Sequence, residues 1–510
     1  MRKSLADAAA QTVSLSLVSH TNVGKTTLAR TLLSRDIGEV RDEAHVTESA
    51  EAQLWIESPA GDRLLLWDTP GFGDSLRLAK RLAQAGNLLG WFMTEVWDRW
   101  RDRPFWATQR ALRHVMDEAD VVLYLVNAAE APEDAGYLDA ELQVLGVIGK
   151  PVLALLNQLG PAGAPLDDDA EATLAQRWST RLAATPVVRA VLPLDAFSRC
   201  WVQEGVLWRA VAEAAPAAKR EALSRLQSAW QARQRSIWRS AVDEMARRLA
   251  RAALDVQSLD TNANALQRIG QGLGKVLGLR TAAADTARER AMTALADRLD
   301  SDVRESTARL IALHGLDGRA GGEVLGKLAR HYAQRDPLDE GRAALWGGAL
   351  SGALVGLKAD LASGGLTLGG GLLAGGVIGA LAAAGAARGF NQVRGFERPL
   401  LAWEPRVLDA LLASALLGYL AIAHHGRGRG AWVDEAPPAR WTAAVQSAVE
   451  ARRAEIDALW AKRSDQLGRP AGDSAETAST LEHGLQRLLA AASVELLAQL
   501  YPSAAIDLRH

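Results

Sequence analysis

The residues with the clearest chemical potential lie early in the chain, in Leu15-Ser16-Leu17-Val18-Ser19-His20-Thr21-Asn22-Val23-Gly24-Lys25-Thr26-Thr27-Leu28. An apolar strand runs into a tight turn and then into a helix. The turn follows the second half of the phosphate-binding pattern G-x-x-x-x-G-K-[ST], with Ser19 where the first glycine stands. Backbone N–H groups at a helix N-terminus suit concentrated negative charge such as a triphosphate. On this reading Asn22, Val23, Gly24, Lys25, Thr26 and Thr27 form the cradle. Gly24 admits the backbone, Lys25 reaches the outer phosphates, and the Thr26 hydroxyl binds Mg²⁺. Downstream, Asp68-Thr69-Pro70-Gly71 closes an apolar strand as D-x-x-G. A carboxylate there can hold Mg²⁺ through water, and the Gly71 N–H can sense the γ-phosphate. Thr47 is the candidate threonine that closes on metal and phosphate, on position alone, and an ordinary loop threonine is the competing reading.

The elements needed to position these groups can be read around them. Val13–Val18 reads as a buried strand, and the helix opened by Gly24 continues through Leu28, Leu32 and Leu33. Glu51–Glu57 and Arg63–Trp67 flank the turn Pro59-Ala60-Gly61-Asp62, a hairpin signal. Val121–Val126 and Pro151–Leu156 are continuous apolar strands, as in a parallel sheet covered on both faces. Helices are expected through Leu138–Leu145 and Ala196–Ala214, with a last strand at Val187–Leu192. Between the D-x-x-G and Val121, Leu88, Trp91, Phe92, Val96, Trp97 and Trp100 recur at helical spacing, followed by Phe105 and Trp106. The favoured reading is an inserted amphipathic helix packed on protein, and the other is a membrane-interface or partner surface.

Thr21-Asn22-Val23-Gly24-Lys25-Thr26 together with Trp67-Asp68-Thr69-Pro70-Gly71-Phe72 resembles the Era-like, translation-factor-related branch of P-loop GTPases. The resemblance implies GTP as ligand and Mg²⁺ as cofactor, and the apolar Phe72 after D-x-x-G implies that no glutamine orients the attacking water there. Hydrolysis would then draw on a partner, a second G domain or a monovalent cation. Asn22 stands where members of the branch that use K⁺ carry asparagine. The guanine-reading N-K-x-D is degraded: Asn157 is kept, but Gln158 and Gly160 replace the lysine and aspartate. The missing carboxylate weakens the basis for base specificity. Asp167, Asp168 and Asp169 are near enough in sequence to stand in for it, but a solvated acidic loop is the favoured reading.

At 510 residues with a formal charge of −2, the chain fits two or three domains and has no overall field that would draw it to nucleic acid. One cysteine, Cys200, excludes an internal disulfide, and the residues from Met1 carry no apolar core of signal-peptide length. A cytoplasmic protein is the expectation. After Ala215 no strand signal is evident. Helices are expected over Lys219–Leu254, Thr261–Leu279, Ala282–His314, Val407–Ala423, Trp441–Lys462 and Thr477–Leu500, with His424 and His425 structural. The expected division is a GTPase domain over 1–212 and an all-helical domain over 213–510.

Within the helical part, residues 343–387 form two apolar arms around Lys358-Ala359-Asp360, with Gly348, Gly352 and Gly356 on one and Gly371, Gly375 and Gly379 on the other. Glycine at every fourth position lets helices touch closely. The arms make either a membrane-inserting hairpin, the favoured reading, or a buried helical hairpin. An inner-membrane association through this segment is expected. This organisation is similar to bacterial proteins that join a GTPase to a C-terminal domain of unknown function. A homodimer or an unidentified protein partner completes the expected contacts. Two functional readings stand: a membrane-associated nucleotide switch, or a soluble regulatory or ribosome-assembly GTPase. A nucleotide binder with little hydrolysis is a third.

Overall fold

The computed structural model describes residues 10–35, 37, 51–72, 75–85, 103–158, 168–194, 200–258, 276–316, 390–393, 400–425, 439–466 and 474–502. The chain divides into two compact units, Met1–Ser236 with Ala423–Glu435, and Ile237–Ile422 with Ala436–His510.

The first unit is built on six strands: β1 (Thr12–Ser19), β2 (Glu51–Glu57), β3 (Arg63–Asp68), β4 (Val121–Asn127), β5 (Val152–Asn157) and β6 (Val188–Pro193). Their spatial order is β2-β3-β1-β4-β5-β6. All pairings are parallel except that of β2 with β3. The helices between them are α1 (Lys25–Leu33), α2 (Ser75–Ala85), α3 (Arg103–Glu118), α4 (Leu138–Ile148), α5 (Asp168–Ala183) and α6 (Trp201–Ala214).

Period-2 alternation explains why both sheet faces are apolar. Val121, Leu123 and Leu125 bury with Leu28, Leu207 and Leu226 on one face. Val122, Tyr124 and Val126 bury with Leu112, Leu142 and Trp178 on the other. Each fully buried aliphatic side chain contributes roughly 1.5–3 kcal/mol. The central strands therefore hold their carboxyl ends rigidly. In register, Leu17 lies beside Asp68, Ser19 beside Leu125, and Asn127 beside Asn157. The chemically promising residues so gather at the carboxyl edge, where ligands bind in open α/β sheets.

The hairpin β2–β3 turns through Gly61, whose φ of 85° suits glycine. Asp62 is fully buried beneath the turn. It accepts from Ser58 Oγ (2.8 Å), from the Gln11 N–H (3.1 Å), and from Arg225 Nε and Nη2 (2.7 and 2.9 Å). Arg225 belongs to α7 (Arg220–Leu254), which also sends Trp230 against Trp208, itself packed at a tilt on Trp55 of β2. These hydrogen bonds hold the Asp62 carboxyl far below the ordinary carboxylate range, Arg225 first among the causes. A depressed acid contributes stability that is present above its unfolded pKa, about 3.9, and is lost as pH falls toward the folded value. Asp62→Asn is therefore expected to cost about 1–2 kcal/mol at pH 7, Arg225 being partly open to solvent that screens the pair. The variant should also show a smaller difference in thermal midpoint between pH 7 and pH 3 than the parent; scanning calorimetry at the two pH values checks it.

The division between the units falls inside α7. The second unit continues with β7 (Val256–Ser258), α8 (Val276–Leu313), β8 (Phe390–Val393), β9 (Leu400–Trp403), α9 (Pro405–Ala423), α10 (Ala439–Glu450), α11 (Arg453–Gln466) and α12 (Ser474–Leu500). The expectation of no strand after Ala215 is corrected: β7, β9 and β8 form a small antiparallel sheet. Strands this short lack the length on which alternation can be read, and their pairing joins distant segments. The single helix expected over Trp441–Lys462 is likewise two, α10 and α11, parted at Ala451 and Arg452. The helix α9 is long and apolar enough to cross a membrane, yet 78% of its apolar window is buried within the protein, which makes it a core helix. Thr47, residues 343–387, Trp91, Trp97, Trp100, Gly160, Asp167 and most of Thr261–Leu279 lie outside the described residues.

Candidate nucleotide site

The turn after β1 reaches α1 through two residues in the left-handed region, Asn22 at φ 64° and Gly24 at φ 94°. Gly24 is the N-cap of α1, no side chain caps it, and no acid occupies the first turn. The first amide groups of α1 are thus left for an anion. A Cβ on Gly24 would meet Asn157 Nδ2 at 2.9 Å. That asparagine is fully buried and donates through Nδ2 to the Val23 carbonyl at 2.7 Å. The residue read as a base contact therefore also braces the phosphate loop from the end of β5. Gln158 follows it at φ 57°.

Lys25 is 8% exposed and donates to Ser19 Oγ at 3.0 Å. The Ser19 hydroxyl in turn donates to the His20 carbonyl. Serine in the glycine position thus gives the lysine a local partner, a role that the pattern alone does not contain. Burial pushes the Lys25 ammonium below its ordinary pKa, while the negative charges of Asp68 and Glu141 act the other way.

The second motif arrives from β3. Thr26 Oγ1 donates to Asp68 Oδ2 at 2.6 Å, so two hard oxygens from different elements converge. That pair fits Mg²⁺, which takes oxygen ligands and keeps several waters. Thr69 is anchored by donating to the Leu17 carbonyl at 2.6 Å, and the Phe72 N–H donates to the Ser19 carbonyl at 2.9 Å. The D-x-x-G segment is thereby laid against the phosphate loop. A Cβ on Gly71 would come within 3.1 Å of Lys25 Nζ and of Thr21 Cα. Glycine there keeps open the space next to the lysine. Phe72 is buried with Val18 and Leu78. Its ring packs into the core and presents no polar group to a water.

Of the expected site residues, the structure brings together Asn22, Val23, Gly24, Lys25, Thr26, Asp68, Gly71 and Asn157, with Thr27 buried behind them on α1. Sequence reading missed a cluster behind the loop, gathered on the buried Glu141. His20 Nδ1 is 2.8 Å from Glu141 Oε1, and Tyr124 donates its hydroxyl to Glu141 Oε2 at 2.8 Å. Tyr137 stacks on His20 with centroids 4.2 Å apart and planes 13° apart. Burial raises the Glu141 carboxyl, opposed by His20, Tyr124 and Lys25. A charged residue in the first turn of α4 looks like an ordinary dipole partner, so only the fold reveals that it points inward.

A family model described as a 50S ribosome-binding GTPase matches residues 14–158. A second, described as a domain of unknown function (DUF3482), matches residues 180–487. No curated protein matches the chain. Among solved structures, a variant of Era from Aquifex aeolicus bound to GDP and aluminium fluoride is 18% identical over 40% of this chain and 57% of its own, with a TM-score of 0.28. Era in complex with MgGDPNP and a segment of 16S ribosomal RNA is 16% identical over 41% and 58%, with a TM-score of 0.29. The chain thus spans just over half the length of these structures.

Proposed function

The chain belongs to the DUF3482 family and carries a P-loop GTPase domain ahead of that region, and from this premise we propose that it is a GTP-binding nucleotide switch with slow intrinsic hydrolysis. The observation that carries the proposal is the meeting of two motifs. Lys25 and the open N-terminus of α1 lie next to Gly71, and Thr26 meets Asp68 at 2.6 Å.

The amides of residues 22–26 bind the phosphates, and Lys25 adds a positive charge held in a low-dielectric pocket. Thr26 and Asp68 hold Mg²⁺, directly or through water, with Thr47 as a further candidate. Mg²⁺ bound there would supply charge neutralisation at the outer phosphate oxygens. Gly71 reports the γ-phosphate through its N–H. Phosphoryl transfer of this type rests on positioning and charge stabilisation, so no protein base is required. With Phe72 in the core, the water is oriented from elsewhere: a protein partner, a second copy of the domain, or K⁺ beside Asn22. GTP turnover is expected to be faster in potassium than in sodium buffer of equal ionic strength; equal rates in a phosphate-release assay would remove the cation from the scheme.

We place the end of the nucleotide domain near residue 212, where the alternation of strand and helix stops. The glycine-patterned segment 343–387 supports a membrane hairpin under nucleotide control, and the protein would then sit in the cytoplasm and at the inner membrane. Co-flotation with anionic liposomes in the GTP state is the expected result; recovery in the soluble fraction in every nucleotide state would favour the soluble regulatory reading. The function itself is tested by calorimetry with GTP and ATP side by side, with and without Mg²⁺. Magnesium-dependent binding of GTP in preference to ATP is expected, and binding of neither would overturn it.

A further inference from the structure

A phosphate site with a buried carboxylate behind it has an electrostatic problem. Glu141 is fully buried, and it is near enough to the phosphate-binding lysine to help hold the charge of Lys25. A triphosphate entering the loop brings several negative charges into the same low-dielectric region, where like charges repel far more strongly than in water. Two side chains meet the carboxylate. Tyr124 gives one hydrogen bond at 2.8 Å, but a buried phenol whose pKa is raised well above its ordinary value adds no charge. His20 is the other, and its Nδ1 at 2.8 Å can direct an N–H at the carboxylate oxygen that Tyr124 leaves. It is itself part of the loop, between Ser19 and Thr21. Its ring is held face to face by Tyr137, and its carbonyl accepts from Ser19, the residue that contacts Lys25.

We propose that His20 is a positioning residue of the phosphate site: it screens the buried Glu141 carboxylate from the bound phosphates. The proposal rests on the nucleotide reading above. It explains why an acid is tolerated there. It also assigns a role to a loop side chain that the phosphate pattern leaves unspecified. A packing role and a screening role differ in sign when Glu141 is neutralised. If His20 only packs, removing the charge of Glu141 cannot repair its loss. If His20 screens, it must.

The experiment is a double-mutant cycle on the full chain, reading the Kd of Mg·GTP by calorimetry together with the thermal midpoint without nucleotide. His20→Ala is expected to raise the Kd by about tenfold. Glu141→Gln keeps the shape and removes the charge, and alone should change the Kd by no more than about threefold. The pair H20A/E141Q should return to within about threefold of the parent. His20→Gln, alone and with E141Q, supplies the same comparison should H20A fail to fold. Double variants as weak as the single His20 variants, or single variants that bind like the parent, would overturn the proposal. Lys25→Ala run alongside separates the levels. Loss of binding there with unaltered His20 variants sinks only the screening role, whereas unaltered binding in Lys25→Ala sinks the nucleotide reading and the proposal together.

Discussion

Replacing Lys25 with alanine will weaken triphosphate binding by about a hundredfold or more, while the nucleotide-free fold stays as stable as the parent or becomes more so. The two effects have opposite origins. In the free protein the ammonium is 8% exposed and held by Ser19 Oγ, and burial pushes its pKa down against the pull of Asp68 and Glu141. That is a charge kept in an unfavourable place, so its removal relieves desolvation. With a triphosphate bound, the same low dielectric makes the ammonium worth more than it would be in water. Calorimetric titration measures the affinity. A thermal-shift series adds a second readout, because ligand stabilisation grows with the logarithm of ligand concentration over Kd. An Mg·GTP affinity equal to that of the parent would remove the basis for the site.

The second large effect is on stability and belongs to the second unit. Arg463 of α11 is 2% exposed, yet its donors go to backbone carbonyls: Nε to Ala253 at 2.5 Å and Nη2 to Trp403 at 2.8 Å. Ala253 lies in the last turn of α7, and Trp403 ends β9. The guanidinium thus satisfies a helix C-terminus, where a cation also meets the negative end of the dipole, and a strand end together. Burial lowers its pKa to about 10, so the charge persists at neutral pH. Arg463→Met keeps much of the volume but leaves both carbonyls without this donor, at an expected cost of about 3 kcal/mol. Arg463→Lys should recover only part, since one ammonium cannot span the two carbonyls as a planar fork does. Urea denaturation of the three proteins measures the series, and a Met variant within about 0.5 kcal/mol of the parent would contradict this account.

These two residues mark the line between what was legible in the residues and what was not. Lys25 could be assigned at once, because the strand before it, the glycine at its left and the threonine at its right are local. The same holds for Asp68 at the end of an alternating strand, and for the apolar runs of β4 and β5, whose two-sided burial follows from their composition. Asn157 was found by position, but its hold on the Val23 carbonyl spans 134 residues of sequence. Asp62 looked like a turn residue and proves to be the buried anchor of Arg225, 163 residues away. Arg463 stands just past the helix expected over Trp441–Lys462, and nothing in its neighbours along the chain marks it as buried.

By itself the sequence determined the class of the N-terminal domain, the order of its elements and the place of the Gly24-Lys25-Thr26 turn between β1 and α1, since these depend on hydrophobic periodicity and on backbone freedom at single glycines. Only the tertiary structure decided which charges are buried and what faces them: Ser19 on Lys25, His20 on Glu141, Arg225 on Asp62, and Arg463 on the ends of a helix and a strand. The physical reason is that the desolvation and pairing of a charge depend on neighbours brought in from distant segments. Nothing in the periodicity of either partner encodes that meeting.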